Sequence, residues 1–246
     1  MKKLLFTFCL FSLVFNSCND NELEDYVDNV TSDSVFLQKK IETYQDEEVV
    51  TNYIYDEDKL ISLSDSDGYS EVFTYTDDLL KSIQEYEDGE LGFQTQLEYD
   101  SFGRLVKEII SIDSNTVQVN EFTYNSDGTI TMVEDGENTY IFSYDNYGNR
   151  VSEVHLEGDN DYSYTYDTRK NPFRNIHQRM VFELIGHDVY NNNVLSYISS
   201  SSSNMTDNYN SSYAYNAIGY PTGGTQTYNP GTDNQEVVTL QFIYEL

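Results

Sequence analysis

Cysteine is nearly missing from this chain. The two present, Cys9 and Cys18, both fall in the first eighteen residues, so the remainder can form no internal disulfide and must be held by packing and hydrogen bonds. Basic residues are also scarce. Two of the 13 Lys and Arg stand at positions 2 and 3, leaving 11 against 43 Asp and Glu and a net charge of −32 beyond the leader. A body of that charge repels nucleic acid and anionic membrane, so neither is expected to bind it directly. No apolar run approaches the roughly twenty residues a membrane-spanning helix needs. The chain has no Trp. It also contains no G-x-S-x-G elbow, P-loop or H-E-x-x-H sequence, which removes the simplest enzyme readings.

What stands at the start is a leader. Lys2 and Lys3 precede an apolar stretch from Leu4 to Phe15, then Asn16-Ser17-Cys18, the order of a secretory signal. The small residue directly before Cys18 resembles the lipobox of bacterial lipoproteins. That resemblance implies a signal peptide over 1–17, with Cys18 as the lipidated mature N-terminus and the membrane as a partner through that anchor. Several acyl chains anchor stably where one is marginal. Residues 18–35 read as an acidic tether that cannot pack a core. Asn19 to Asp25 resembles the export tag of surface lipoproteins of Bacteroidota, which implies an outer-membrane location with the body at the cell surface.

Residues 36–246 read as one domain built from a repeat. A large apolar or aromatic residue, any residue, then Tyr recurs with its tyrosine at Tyr55, Tyr75, Tyr99, Tyr124, Tyr144, Tyr166, Tyr215 and Tyr244, at separations of 20, 24, 25, 20, 22, 49 and 29. Period-two spacing puts both large side chains on one face of a strand. These anchor tyrosines are therefore assigned to the sheet's core, where cross-strand aromatic contacts stabilise it. Four anchors are followed, four residues later, by Gly103, Gly128, Gly148 and Gly219. That spacing suits a type I turn closed by a residue at positive φ. Each copy becomes a hairpin, and about fourteen to sixteen strands would exceed what an open sheet carries without curling. In the outgoing segment, Leu105, Lys107 and Ile109 alternate with Val106, Glu108 and Ile110. The expected fold is all-β: antiparallel hairpin repeats in a long, twisted or rolled meander.

Tyr99-Asp100-Ser101-Phe102-Gly103-Arg104-Leu105 resembles the Y-D-x-x-G-R-L core of the YD repeats of Rhs-type proteins, and Tyr144 to Arg150 is a close variant. Resemblance covers residues 50 to 166 approximately and resumes at 213. Large members of that group coil many repeats into a hollow shell, and eight copies look too few to close one. The chain is most similar to small YD-repeat-like lipoproteins of Bacteroidota, a resemblance that implies no particular biochemical role.

The 49-residue gap between Tyr166 and Tyr215 reads differently. Asn171 can cap, Pro172 can open a helix, and Phe173, Ile176, Met180, Leu184 and Ile185 recur at helical spacing before Gly186. A helix over 172–185 is expected to cover an open end or face of the sheet. Arg169, Lys170, Arg174 and Arg179 gather here, a candidate binding patch for a phosphate, a carboxylate or an acidic partner. The plainer alternative is that they neutralise nearby Asp and Glu.

No metal site is assigned. His155, His177 and His187 lack i, i+4 spacing, and each is read as structural or surface. No cofactor is expected. Calcium is the one left open by acidic loops such as 65–68 and 157–161, although their spacing fails the EF-hand pattern. No catalytic residue is picked out among 43 carboxylates. The functional reading is a non-catalytic envelope lipoprotein that binds a glycan or a protein. A scaffolding lipoprotein and a hydrolase of envelope polymer are the alternatives. Converging carboxylates, or a His with a carboxylate, inside a cleft would favour the hydrolase.

Overall fold

A computed structural model describes residues 35–158, 161–200 and 208–245. Sixteen strands run in chain order: β1 (Phe36–Tyr44), β2 (Glu47–Asp56), β3 (Lys59–Ser64), β4 (Tyr69–Thr76), β5 (Leu79–Glu87), β6 (Glu90–Tyr99), β7 (Leu105–Ile112), β8 (Asn115–Tyr124), β9 (Ile130–Glu134), β10 (Asn138–Tyr144), β11 (Arg150–His155), β12 (Tyr162–Tyr166), β13 (Val194–Ser199), β14 (Tyr209–Tyr215), β15 (Pro221–Tyr228) and β16 (Glu236–Glu245). Every strand pairs antiparallel with its chain neighbours, and β16 returns to pair with β1 from Phe36↔Glu245 to Thr43↔Thr239. The all-β meander therefore closes into a barrel. Eight repeat copies, two strands each, do suffice to close the sheet, and closure removes the unpaired edges that an open meander would expose.

Each anchor tyrosine ends an even-numbered strand, so all eight lie toward one end of the barrel. The Gly-containing turns form as their chemistry dictates. Asp100 Oδ1 accepts from the backbone N–H groups of Phe102 (2.9 Å) and Arg104 (3.0 Å), and the Gly103 N–H donates to the Asp100 carbonyl at 3.1 Å with φ +78°. Where the glycine is missing, as after Tyr75, the turn shortens to Asp77-Asp78, both at positive φ (51° and 62°), the conformation of a two-residue hairpin turn.

A register shift beside the tyrosine recurs in most copies: Glu98 faces Lys107, yet Tyr99 faces Leu105. Val106 is the extra residue of a bulge. This corrects the face assignment made from alternation, because Leu105 turns inward together with Glu108, not with Lys107 and Ile109. Four of the anchor hydroxyls then staple their hairpin to the preceding one. Tyr75 donates to the Leu60 carbonyl (3.1 Å), Tyr99 to Leu80 (2.5 Å), Tyr166 to Arg150 (2.6 Å) and Tyr244 to Pro221 (2.8 Å).

The next inward layer is apolar: Tyr53, Phe73, Leu97, Phe122, Phe142 and Phe242 are buried. Outward positions of the same strands carry polar side chains such as Asn52, Thr74, Gln96, Glu98, Thr123 and Gln241, all exposed. The wall is apolar inside and mixed outside at the end where the core lies, since Ile54, Val72 and Ile243 are exposed on these strands as well.

The segment between β12 and β13 fills this core. Its helix, α1, spans only Arg179–Leu184, shorter than the expected 172–185. Asn171 does cap the start, accepting from the Phe173 N–H (2.8 Å), but residues 172–178 form successive turns. Gln178 ends them in a left-handed conformation, φ 54°, with its side-chain oxygen accepting from the Leu80 N–H at 2.6 Å. Contact with the barrel wall thus overrides the helical spacing. Phe182 is fully buried against Phe73, 5.2 Å between ring centroids, so α1 closes one end of the barrel from within.

Candidate ligand-binding lumen

The plug is fastened around the tyrosine end. The His177 N–H donates to the Asp58 carbonyl (2.8 Å), its ring Nε2 lies 2.6 Å from the Asp78 carbonyl oxygen, and the Lys170 N–H donates to the Gly219 carbonyl at 3.1 Å. Asn149 Oδ1 accepts from the backbone of both Asn191 (2.9 Å) and Asn192 (3.1 Å). On the wall, Arg150 Nε holds Glu183 Oε1 at 3.0 Å, both groups buried. Burial pushes the Glu183 carboxyl up against the pull of Arg150 and Arg179.

Beyond the plug, the inward face changes character. On one side stand carboxylates. The Tyr69 hydroxyl donates to Glu71 (2.5 Å) and reaches Glu85 at 3.3 Å, while His187, arriving from the plug, places Nε2 2.8 Å from the other oxygen of Glu71. Asn120 donates to Glu108 at 2.7 Å, and Gln118 bridges Asn120 (3.1 Å) and Glu134 (3.0 Å). Burial pushes the Glu108 carboxyl up to about 7, against the hydrogen bond from Asn120. Burial and the neighbouring Glu71 charge raise Glu85 as well. For Glu71, burial acts upward but His187 and the Tyr69 hydroxyl outweigh it, leaving the carboxyl below its ordinary value. His187 is correspondingly raised, burial being outweighed by Glu71.

On the opposite side stand tyrosines. Tyr162 stacks on Tyr197 (5.2 Å, 9° between planes), Tyr197 on Tyr209 (5.4 Å, 24°), and Tyr209 meets Tyr228 at 5.7 Å. Between this wall and the plug lies a cavity of about 90 Å³, lined in part by Lys40, Asp188, Tyr190, Tyr209, Tyr213 and Gln226. Gly224 sits opposite Tyr213 in the register, and a Cβ there would lie 2.3 Å from the Ser212 carbonyl oxygen. A side chain is thereby excluded from the cavity wall. The cavity lining combines aromatic faces with a few polar groups.

Three of the four basic residues of the candidate patch, Arg169, Lys170 and Arg179, have separate side-chain partners, while Arg174 is held through its backbone. Arg169 lies over the Tyr215 ring (5.7 Å) and Lys170 over Tyr220 (5.0 Å). Arg179 donates to the Val189 and Gly148 carbonyls, and the Arg174 N–H donates to the Asn171 carbonyl. Among the histidines, His155 stacks on Tyr140 at 4.5 Å, His177 faces Asp58 at 3.7 Å, and only His187 enters the carboxylate group. Among the described residues, no group of three or more His, Cys, Asp or Glu is placed to hold a metal ion. Cys18 and the tether to position 34 lie outside the described residues. Sequence reasoning passed over the lumen groups because they fall in strands between the repeated motifs. The inward setting of Glu108 was readable only with the bulge in hand.

The fold and the lumen define a class: a closed sixteen-stranded antiparallel barrel with its own chain plugging one end. No protein-family model and no curated protein matches the sequence. Solved structures do. A porin-like protein from Bacteroides uniformis superposes with a TM-score of 0.53 at 13% identity, over 85% of this chain and 96% of that one. A porin-like protein from Bacteroides vulgatus gives 0.55 at 12% identity, over 86% and 99%. Likeness at that identity is one of fold.

Proposed function

We propose that the chain is an outer-membrane-anchored lipoprotein with a YD-repeat-like barrel, whose lumen binds an oligosaccharide without catalysis. The leader and Ser17-Cys18 support the anchor, and the porin-like neighbours support an envelope setting. Polar outward positions such as Thr74, Gln96 and Thr123 interrupt the exposed Ile54, Val72 and Ile243, and this supports a barrel standing in water, because lipid-spanning barrels turn a continuous apolar band outward. The observation that carries the ligand class is the stack of Tyr162, Tyr197 and Tyr209, whose last ring lines the cavity together with Tyr190 and Tyr213. Tyrosine offers a flat apolar face and a hydroxyl, matching the apolar face and rim hydroxyls of a sugar ring. Glycan-array screening followed by calorimetry on the hit tests this. Tyr209→Ala is expected to weaken binding by about tenfold or more, given ~1–3 kcal/mol for a stacked ring. Unchanged affinity in that variant, or an array without hits, would oppose the assignment.

A second reading, hydrolysis, is favoured by one arrangement: His187, Glu71 and Glu85 meet through the Tyr69 hydroxyl, and the Glu108 carboxyl titrates near neutrality. A proton donor poised near 7 suits general acid catalysis. Product release from a bound glycan, abolished by Glu108→Gln, would decide for it.

A further inference from the structure

The barrel is uneven along its axis in charge. None of the loops at the end away from the anchor tyrosines contains a Lys or Arg, while they carry Asp46, Asp65, Asp88, Asp113, Asp135 and Asp233 among other acids. At the plugged end acids such as Asp58, Asp78, Asp100 and Asp145 are partly offset by basic side chains: Lys59, Arg104, Arg169, Lys170 and Arg174 lie in its turns or in the plug, Lys59 paired with Asp78 and Arg104 with Asp100. Three of the turns there also raise large apolar side chains into solvent at their tips, whereas exposed aliphatics of the other end such as Leu91, Ile112 and Val237 stand on strand ends, with Leu156 just past β11. Phe102 is 74% exposed, Tyr147 71% and Ile218 47%, each three residues after its anchor tyrosine. They come from the β6–β7, β10–β11 and β14–β15 turns, with the β8–β9 turn between the first two carrying Asp127 at the same position. Three equivalent projections spread around an arc define a plane. The described chain also starts here, since the Val35 carbonyl accepts from Asn175 of the plug at 3.3 Å.

We propose that the plugged end is a membrane-facing seat: Phe102, Tyr147 and Ile218 enter the headgroup layer of the bilayer that holds the Cys18 lipids, and the tyrosine-lined lumen opens away from it. This rests on the lipoprotein reading. Sixteen residues separate Cys18 from Val35 and span about 55 Å when extended, so the tether alone allows any orientation. Orientation comes from the ends. Aromatic and aliphatic side chains partition into the interface, and basic groups near a bilayer gain from anionic lipid. The net charge of −32 opposes adhesion of the body as a whole. Because basic residues offset part of that charge at the plugged end and none of it in the loops of the mouth, the same repulsion turns the acidic mouth outward.

The absence of Trp makes the test direct. Full-length acylated protein carrying one reporter, Phe102→Trp or Tyr147→Trp at the plugged end, or Leu91→Trp at the other, is reconstituted on phosphatidylethanolamine vesicles containing brominated acyl chains. Both plugged-end reporters are expected to shift blue and to be quenched roughly threefold or more over Leu91→Trp. Equal quenching at the two ends in membrane-retained protein would overturn the seat and leave the anchor standing. Protein that neither incorporates palmitate at Cys18 nor stays with vesicles would overturn both.

Discussion

Glu108 shows how a single inward carboxyl ties stability to pH. Burial raises its folded pKa to about 7 from 4.5, so the protonated form is the one the fold favours. Folding then takes up a proton between about pH 4.5 and 7, and stability falls as pH rises through that window. The His187–Glu71 pair acts in a different range. Raised His187 contributes below its unfolded pKa of about 6.5 and loses that contribution as pH rises through its folded value. Lowered Glu71 contributes above about 4.5 and loses it as pH falls. Glu108→Gln keeps an acceptor for Asn120 and removes the buried charge. Urea denaturation of this variant is expected to show about 2 kcal/mol more stability at pH 8 and little change at pH 5. Equal effects at both values would show that Glu108 is not the titrating group.

At the scale of the element, the hairpin is defined by a tyrosine that closes one copy and fastens the one before it. Tyr99→Phe keeps the ring and deletes the donor to the Leu80 carbonyl. Its cost is expected at about 1 kcal/mol. Tyr55 is the internal control, since its buried hydroxyl finds no partner among the described residues. Tyr55→Phe should be neutral or mildly stabilising in the same urea titration, and equal losses in the two variants would contradict the staple. The hairpin itself was legible in the sequence, because Tyr99-Asp100 and Gly103 state strand end, Asx turn and positive φ in local chemistry. The acceptor of the hydroxyl was not, because Leu80 lies nineteen residues away on another copy. The bulge at Val106 was hidden as well, since alternation on either side of it looks unbroken until β6 fixes the register. The plug misled in length for the same kind of reason: Phe173 and Ile176 have helical spacing, but the Leu80 N–H captures Gln178 and breaks the run.

For the whole molecule, the decisive contact joins the two ends of the described chain. Pairing of β1 with β16 converts a rolled meander into a barrel, and no local pattern announces a partner some two hundred residues away. Closure then settles the rest of the geometry. It gives the repeat an inside, lets the inserted segment become a plug, and leaves carboxylates and tyrosines facing each other across the unplugged lumen. Amide hydrogen exchange read strand by strand tests that closure most directly. Amides of β1 that point away from β2, and those of β16 that point away from β15, should exchange as slowly as the amides of β6 and β7, about a hundredfold or more slower than free peptide. Fast exchange confined to β1 and β16, with the middle strands protected, would mean an open sheet with two edges and would contradict the barrel and the lumen together.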